Sequence, residues 1–287
     1  MEIAILGHQI GPHLRSELSL VISNGYYSFM DRVAVFVNGE LGKSIIKRVI
    51  EHPNLELRVV VLNSSDKRLT EYKNEILELQ QSLRSEFNIY EWSMELSVDE
   101  TYLNDLKKCG IAISALFGHI IPKEVIEIFK SKIVNLHPSL LPHGKGSDPV
   151  PWGIIQGYSQ GASIHTVTEK LDSGLIVSQQ LIESDLGMNA GEIYQKCIQS
   201  LLYQFDSIID KVISNHLSLE FQDDLHTVPK KSHELKELQI IDASETSKLE
   251  NFIRRIQALT YSDGRRPKFR DKQGNIWTID LRLFKDE

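Results

Sequence analysis

Residues 133–174 read IVNLHPSLLPHGKGSDPVPWGIIQGYSQGASIHTVTEKLDSG, and how this stretch is parsed decides the fold. The β-branched pair Ile133-Val134 predicts a short buried strand, and Pro138 and Pro142 stop its ladder from continuing. Asn135 and His137 are therefore expected at the carboxyl end of that strand, the edge where open α/β sheets bind ligands. After a helical interval, Ala162 to Val167 predicts a second strand, whose exit loop carries Asp172 before the turn pair Ser173-Gly174. We read Asn135, His137 and Asp172 as one catalytic group. Asp172 follows His137 by 35 residues, so only a tertiary fold can join them.

The ordered series Asn135-x-His137, Pro138-Ser139-Leu140-Leu141-Pro142, Gly146 and Leu171-Asp172-x-Gly174 resembles the formyltetrahydrofolate-dependent formyltransferase family. The resemblance runs from Val33 to Ile209. It implies a Rossmann-like, doubly wound α/β fold and 10-formyltetrahydrofolate as co-substrate, with no metal. The acceptor in such enzymes is an amine on glycinamide ribonucleotide, methionyl-tRNA or a nucleotide-linked amino sugar. An amine attacking a formyl carbon builds charge on oxygen, which needs donors aimed at it. Asn135 offers uncharged amide N–H groups. His137 either donates to the same oxygen or accepts the amine's proton, since an imidazole ordinarily titrates near neutrality. Asp172 can orient that imidazole, hold a water that relays the proton, or favour the imidazolium.

Bulk properties bound the alternatives. A chain of 287 residues, 41% hydrophobic and 25% charged, is ordinary globular composition for one large or two smaller domains. A net charge of −7 disfavours a general nucleic-acid surface. No apolar run reaches the roughly 18 residues of a membrane span, and no secretory leader is legible, so a cytoplasmic protein is expected. Cys109 and Cys197 lack metal-type spacing and fit a reducing compartment as buried hydrophobes.

Before that stretch, Ile3–Leu6 predicts a strand and Leu14–Ile22 a short helix, within an N-terminal extension over 1–32. The catalytic domain is placed at 33–215 and a small α+β C-terminal region at 216–287. Val33–Val37 predicts the first central strand, followed by Asn38-Gly39 and a helix from Leu41. Gly39, Gly42, Lys43 and Ser44 superficially suggest a phosphate loop, but both glycine fingerprints would need glycine at Val37, so a structural turn is preferred. Leu57–Leu62, Ile89–Trp92 and Ile111–Leu116 predict further strands between helices, hence a mostly parallel sheet covered on both faces. Asp99 predicts a helix cap, as does Asn189 with Glu192.

Leu116, Phe117, Gly118, His119 and Ile120 are similar to the family segment whose backbone lines the pterin pocket, and Gly118 permits close approach. Thr168, Lys170 and Leu171 lie in the loop that closes over the pterin in that family. Ser139, Lys145 and Trp152 are the substrate-contact candidates. Relatives often carry arginine at the position of Lys145, and lysine keeps the charge without the bidentate fork. Trp152 either stacks on an acceptor ring or packs beneath the loop. His143 and His165 have no partner that the sequence names.

The tail resembles the small C-terminal part of amino-sugar formyltransferases, with a helix expected over Glu245–Ala258 and two short strands flanking Gln273-Gly274. From Asp206 onward 14 Lys and Arg face 15 Asp and Glu, a balance of −1 that does not look like a tRNA platform. Arg265, Arg266, Lys268 and Arg270 form a local basic turn, either solvated or meeting a diphosphate. The reading is an N-formyltransferase for a nucleotide-linked amino sugar in surface-glycan biosynthesis, with homodimerisation through the tail plausible. The alternatives are methionyl-tRNA, ribonucleotide or hydrolytic relatives, and a catalytically silent sugar-nucleotide-binding protein.

Overall fold

Near-continuous burial along the central strands builds a sheet with an apolar layer on each side. The computed structural model describes residues 30–130, 132–223 and 227–284; the strand and helix expected within residues 1–29 lie outside the described residues. Five parallel strands come first: β1 (Asp31–Val37), β2 (Leu55–Leu62), β3 (Asn88–Glu91), β4 (Ile111–Ala115) and β5 (Ile133–His137). Then β6 (Gln160–Thr166) and β7 (Ile176–Ile182) join antiparallel, completing the order β3-β2-β1-β4-β5-β6-β7. The sheet is thus mostly parallel, with its crossover reversing between β1 and β4.

Val33, Val35 and Val37 of β1 face helices α1 (Gly39–Glu51), α2 (Leu69–Ser82) and the 24-residue α6 (Ala190–Ile213). Ala34 and Phe36 face α3 (Glu100–Lys107) and α4 (Lys123–Phe129). Both layers are continuous because the side-chain period of a strand is two. Asp99 caps α3 by accepting from the Tyr102 amide at 2.8 Å. Asn189 and Glu192 form the reciprocal capping box of α6.

The glycine-rich turn after β1 is structural. A Cβ at Gly42 would lie 2.7 Å from Val37 Cβ, so glycine lets helix and strand close, while Lys43 pairs with Glu40 and Glu75 at 3.0 Å each.

Beyond residue 215 the structure holds more than the sequence suggested. Helix α7 (Ser232–Glu237) and strand β8 (Ile240–Asp242) precede α8 (Leu249–Ala258), and β9 (Lys268–Arg270) and β10 (Ile276–Thr278) complete a three-stranded sheet. Strands β9 and β10 are the two expected around Gln273-Gly274, whereas α7 and β8, of six and three residues, carry too short a pattern to be read. Helix α8 starts at Leu249 rather than Glu245, because Asp242 forms an Asx turn with Ser244 and Glu245 accepts from Arg255 at 2.6 Å. Helix α5 (Pro149–Gln156) packs against α8, docking this region on the larger sheet. From Asp31 onward the described residues form one compact unit.

Candidate active site

Strand β5 presents Ile133, Asn135 and His137 on one face and Val134 and Leu136 on the other. Ile133 packs in the α3–α4 layer and Leu136 in the opposite layer. In register, Asn135 lies beside Ser114 of β4 and His165 of β6. Both polar residues fall within its last three positions, at the carboxyl end as expected. The chain then turns sharply: Ser139 donates its hydroxyl to the His143 carbonyl at 2.9 Å, and Ser163 donates to the Ser139 carbonyl at 2.6 Å.

Asp172 reaches this face from the β6–β7 loop, with a left-handed backbone (φ 48°) of the kind Asp and Asn tolerate better than most residues. Gly174 permits the loop to fold back, since any Cβ there would run into the Thr166 carbonyl. The carboxylate accepts from the Gly146 amide at 2.8 Å through Oδ2, and the same oxygen lies 3.9 Å from His137 Nδ1. His137 Nε2 donates to the Gly144 carbonyl at 2.8 Å. Its free ring nitrogen is therefore the one that faces Asp172. Asn135, His137 and Asp172, expected together from the sequence, come together on this face of the sheet.

A fourth member joins them. His165 Nδ1 donates to the Thr166 carbonyl at 2.8 Å, so its Nε2 accepts from the Asn135 amide at 3.0 Å. That Nε2 is also 3.5 Å from Asp172 Oδ1. One carboxylate thus faces two imidazoles. Burial alone would raise the Asp172 pKa; the charge of a protonated His137, the hydrogen bond and charge of a protonated His165, and the Gly146 amide outweigh it and hold the carboxyl well below the usual carboxylate range. The sequence left His165 without a partner because antiparallel pairing alone sets it opposite Asn135.

The segments expected to hold a pterin follow the ends of β4 and β6, the two strands that flank β5. Leu116 has φ 55° and Gly118 φ 79°, an unusual conformation for a leucine that turns main-chain groups outward at the end of β4. Phe117 is buried against Phe36 and Trp92, so only its backbone is available, while Gly118 and the 67%-exposed Ile120 face outward. His119 Nε2 donates to Asn63 Oδ1 at 2.7 Å, and burial lowers its pKa. It belongs to the β2 exit rather than to the Asn135 face. Lys123 pairs with Glu169 at 3.3 Å, drawing the loop of Thr168, Lys170 and Leu171 toward the Leu116–Ile120 segment. Thr168 donates to the Lys170 carbonyl, and Leu171 is exposed.

The substrate-contact candidates are less open than expected. Lys145 is 2% exposed and donates to Ser173 at 2.9 Å, so it is a buried lysine rather than a solvated one. The buried Ser139 hydroxyl is engaged within its own turn. Trp152 packs with Leu235 and Leu259, with Lys230 over its ring at 4.7 Å, so the packing alternative is the one realised. His143 stacks on Tyr158 at 4.4 Å. Arg265, Arg266 and Arg270 pair with Asp263, Asp280 and Asp242, so the basic turn is largely neutralised locally.

A family model described as formyl transferase matches residues 31–200, more than half of the chain. The chain belongs to the formyl transferase family. Among curated relatives of this formyl transferase, the methionyl-tRNA formyltransferase of Bacillus subtilis is 31% identical over 118 residues, 41% of this chain and 37% of that protein. The chain thus spans less than half the length of that relative. In fold, it is similar to a 4-N formyltransferase from Francisella tularensis (TM-score 0.74, 22% identity, covering 90% of this chain and 100% of the other). It is also similar in fold to an N-formyltransferase from Helicobacter canadensis solved with folinic acid and dTDP-3-aminofucose (TM-score 0.61, 18% identity, 82% of each chain). Among the described residues of this formyl transferase, no group of three or more His, Cys, Asp or Glu could hold a metal ion, and no helix is long and apolar enough to cross a membrane.

Proposed function

We propose that this formyl transferase moves the formyl group of 10-formyltetrahydrofolate to the amine of a nucleotide-linked amino sugar, in the cytoplasm and in service of surface-glycan biosynthesis. The observation that carries the reading is the meeting of Asn135, His137 and Asp172 on one sheet face, with Nδ1 of His137 3.9 Å from the Asp172 carboxylate.

The co-substrate supplies a nitrogen-bound formyl carbon that an amine can attack. Asn135 provides amide donors for the oxygen on which charge builds, worth on the order of 100- to 1000-fold in rate for such a donor. His137 takes the amine's proton at Nδ1, because Nε2 already donates to Gly144. The ionised Asp172 favours the resulting imidazolium. The same proton then passes to the departing folate nitrogen, which restores the neutral imidazole. Leu116, Phe117, Gly118, His119 and Ile120 with Thr168, Lys170 and Leu171 form the pterin seat, chiefly through main-chain donors and acceptors of the two segments joined by Lys123 and Glu169. Such an array suits a flat heterocycle with several polar edges. Ser139, Lys145 and Trp152 shape the acceptor side from beneath, and a homodimer through the tail belongs to the same reading.

The amino-sugar acceptor is supported by the small C-terminal sheet and by the fold likeness to sugar enzymes, one of them carrying a nucleotide-linked amino sugar. Methionyl-tRNA is the second reading, favoured by the Bacillus relative. Purified protein is incubated with 10-formyltetrahydrofolate and, in parallel, aminated nucleotide sugars and methionyl-tRNA, with mass-spectrometric detection of an added formyl group. Transfer to a nucleotide sugar is the expected result. Transfer to methionyl-tRNA alone replaces the acceptor, and nucleotide-sugar binding without transfer to any amine replaces the enzyme with a binding protein.

A further inference from the structure

We infer that Gln222, from the segment that follows the long helix α6, is a positioning residue that holds Asp172 in its working place beside His137 and His165. The inference rests on the formyl-transfer reading for its kinetic test. Gln222 lies outside the residues matched by the family model, which ends at residue 200.

The Gln222 amide donates to two main-chain carbonyls of the catalytic loop at once, that of Asp172 at 3.0 Å and that of Gly174 at 2.7 Å. Both acceptors are carbonyl oxygens, so the orientation of the amide is fixed. Asp172 occupies the left-handed region, which Asp tolerates better than most residues but which still costs more than ordinary backbone, so support from outside the loop helps to keep it there. Two bonds from one nitrogen to carbonyls two residues apart lock the turn that aims its side chain. The donor is itself anchored: Glu220 and Ile176 exchange both backbone hydrogen bonds at 2.9 Å, extending the sheet edge by one pair.

The other side of the carboxylate is tied to the same stretch of chain. Lys230 donates its amide to the Lys145 carbonyl at 3.0 Å and accepts from Ser147 at 2.9 Å. Between those bonds stands Gly146, whose amide holds Asp172 Oδ2. Gln222 thus grips the backbone of Asp172, and residue 230 grips the loop that binds its carboxylate. A site built on two loops gains precision only when both are restrained, and an ångström of misplacement is enough to slow a reaction strongly.

The test replaces Gln222 with Met, of similar length and without a donor, and uses Phe221→Ala as the control, since Phe221 is 90% exposed next to it. Gln222→Met is expected to lower kcat roughly 10- to 100-fold with KM for both substrates unchanged, and Phe221→Ala to leave both unchanged. In an Asp172→Asn background the added loss from Gln222→Met should vanish, because Gln222 acts through Asp172. Amide exchange at Gly146, followed by NMR, should accelerate in Gln222→Met and not in Phe221→Ala. Unchanged kcat, losses that multiply with those of Asp172→Asn, an equal loss in Phe221→Ala, or unchanged Gly146 exchange would each overturn the inference. Gln222→Glu, of the same shape but without the donor, supplies the same readouts should the methionine variant fail to fold. A wild-type protein that transfers no formyl group sinks the functional reading alone, and exchange at Gly146 then still decides the role of Gln222.

Discussion

The amide of Asn135 donates to Nε2 of His165 across the β5–β6 pairing, at 3.0 Å. His165 therefore fixes which way the Asn135 amide points, and the carboxylate of Asp172 lies against the same imidazole. The amide proposed to serve the reacting oxygen is thus oriented from behind, in a cluster whose members share hydrogen-bond partners.

Replacing His165 with Leu should leave the Asn135 amide unoriented and remove one of the two imidazoles facing Asp172. We expect kcat to fall on the order of 10-fold or more and stability to fall by about 1–3 kcal/mol, the penalty of leaving buried polar groups unpaired. Steady-state kinetics and urea denaturation measure the two effects. A variant with wild-type kcat would show that Asn135 needs no such support.

Asp172 is best tested as Asp172→Asn. Asparagine accepts the left-handed backbone at φ 48°, whereas alanine would add strain to the loss of charge. Turnover should drop about 100-fold or more, because the imidazolium loses its counter-ion, and the thermal midpoint should fall with the lost carboxylate interactions while the variant still melts cooperatively. Circular dichroism melts beside turnover assays separate the two.

The depressed pKa of Asp172 has a pH consequence with a definite sign. A carboxyl whose folded pKa lies below its unfolded value, about 3.9, contributes stability that is present above that value and lost as pH falls toward the folded one. The urea midpoint of the wild type should therefore exceed that of Asp172→Asn at about pH 5, and the gap should narrow below about pH 4. The turnover profile should carry no limb from Asp172 above pH 4. A gap that widens on acidification would reverse the assignment.

Gly174→Ala should destabilise the protein by roughly 3 kcal/mol or more. Its Cβ would collide with the Thr166 backbone carbonyl, which belongs to β6 and has little freedom to move. Gln222, which also bonds the Gly174 carbonyl, would be displaced with it. Differential scanning calorimetry of the purified variant provides the check, and an unchanged melting temperature would mean that the loop can repack.

The order of elements and the position of the polar trio were legible from residue pattern. Continuous apolar runs such as Val33–Val37 and Ile111–Ala115 announce buried parallel strands, and Asn189 with Glu192 announces a helix start, because each is a local preference repeated over neighbouring residues. The motif series from Asn135 to Gly174 likewise pointed to formyl transfer chemistry, since its members keep a fixed order along the chain. Tertiary packing alone decided the rest. His165 acquires its place from strand register, Lys145 its burial from the Ser173 loop, and Gln222 its two carbonyl partners from a segment 48 and 50 residues away. Cross-strand neighbours and loop-to-loop bonds are set by the closing of the whole fold, and a single chain of letters carries no periodicity that marks them.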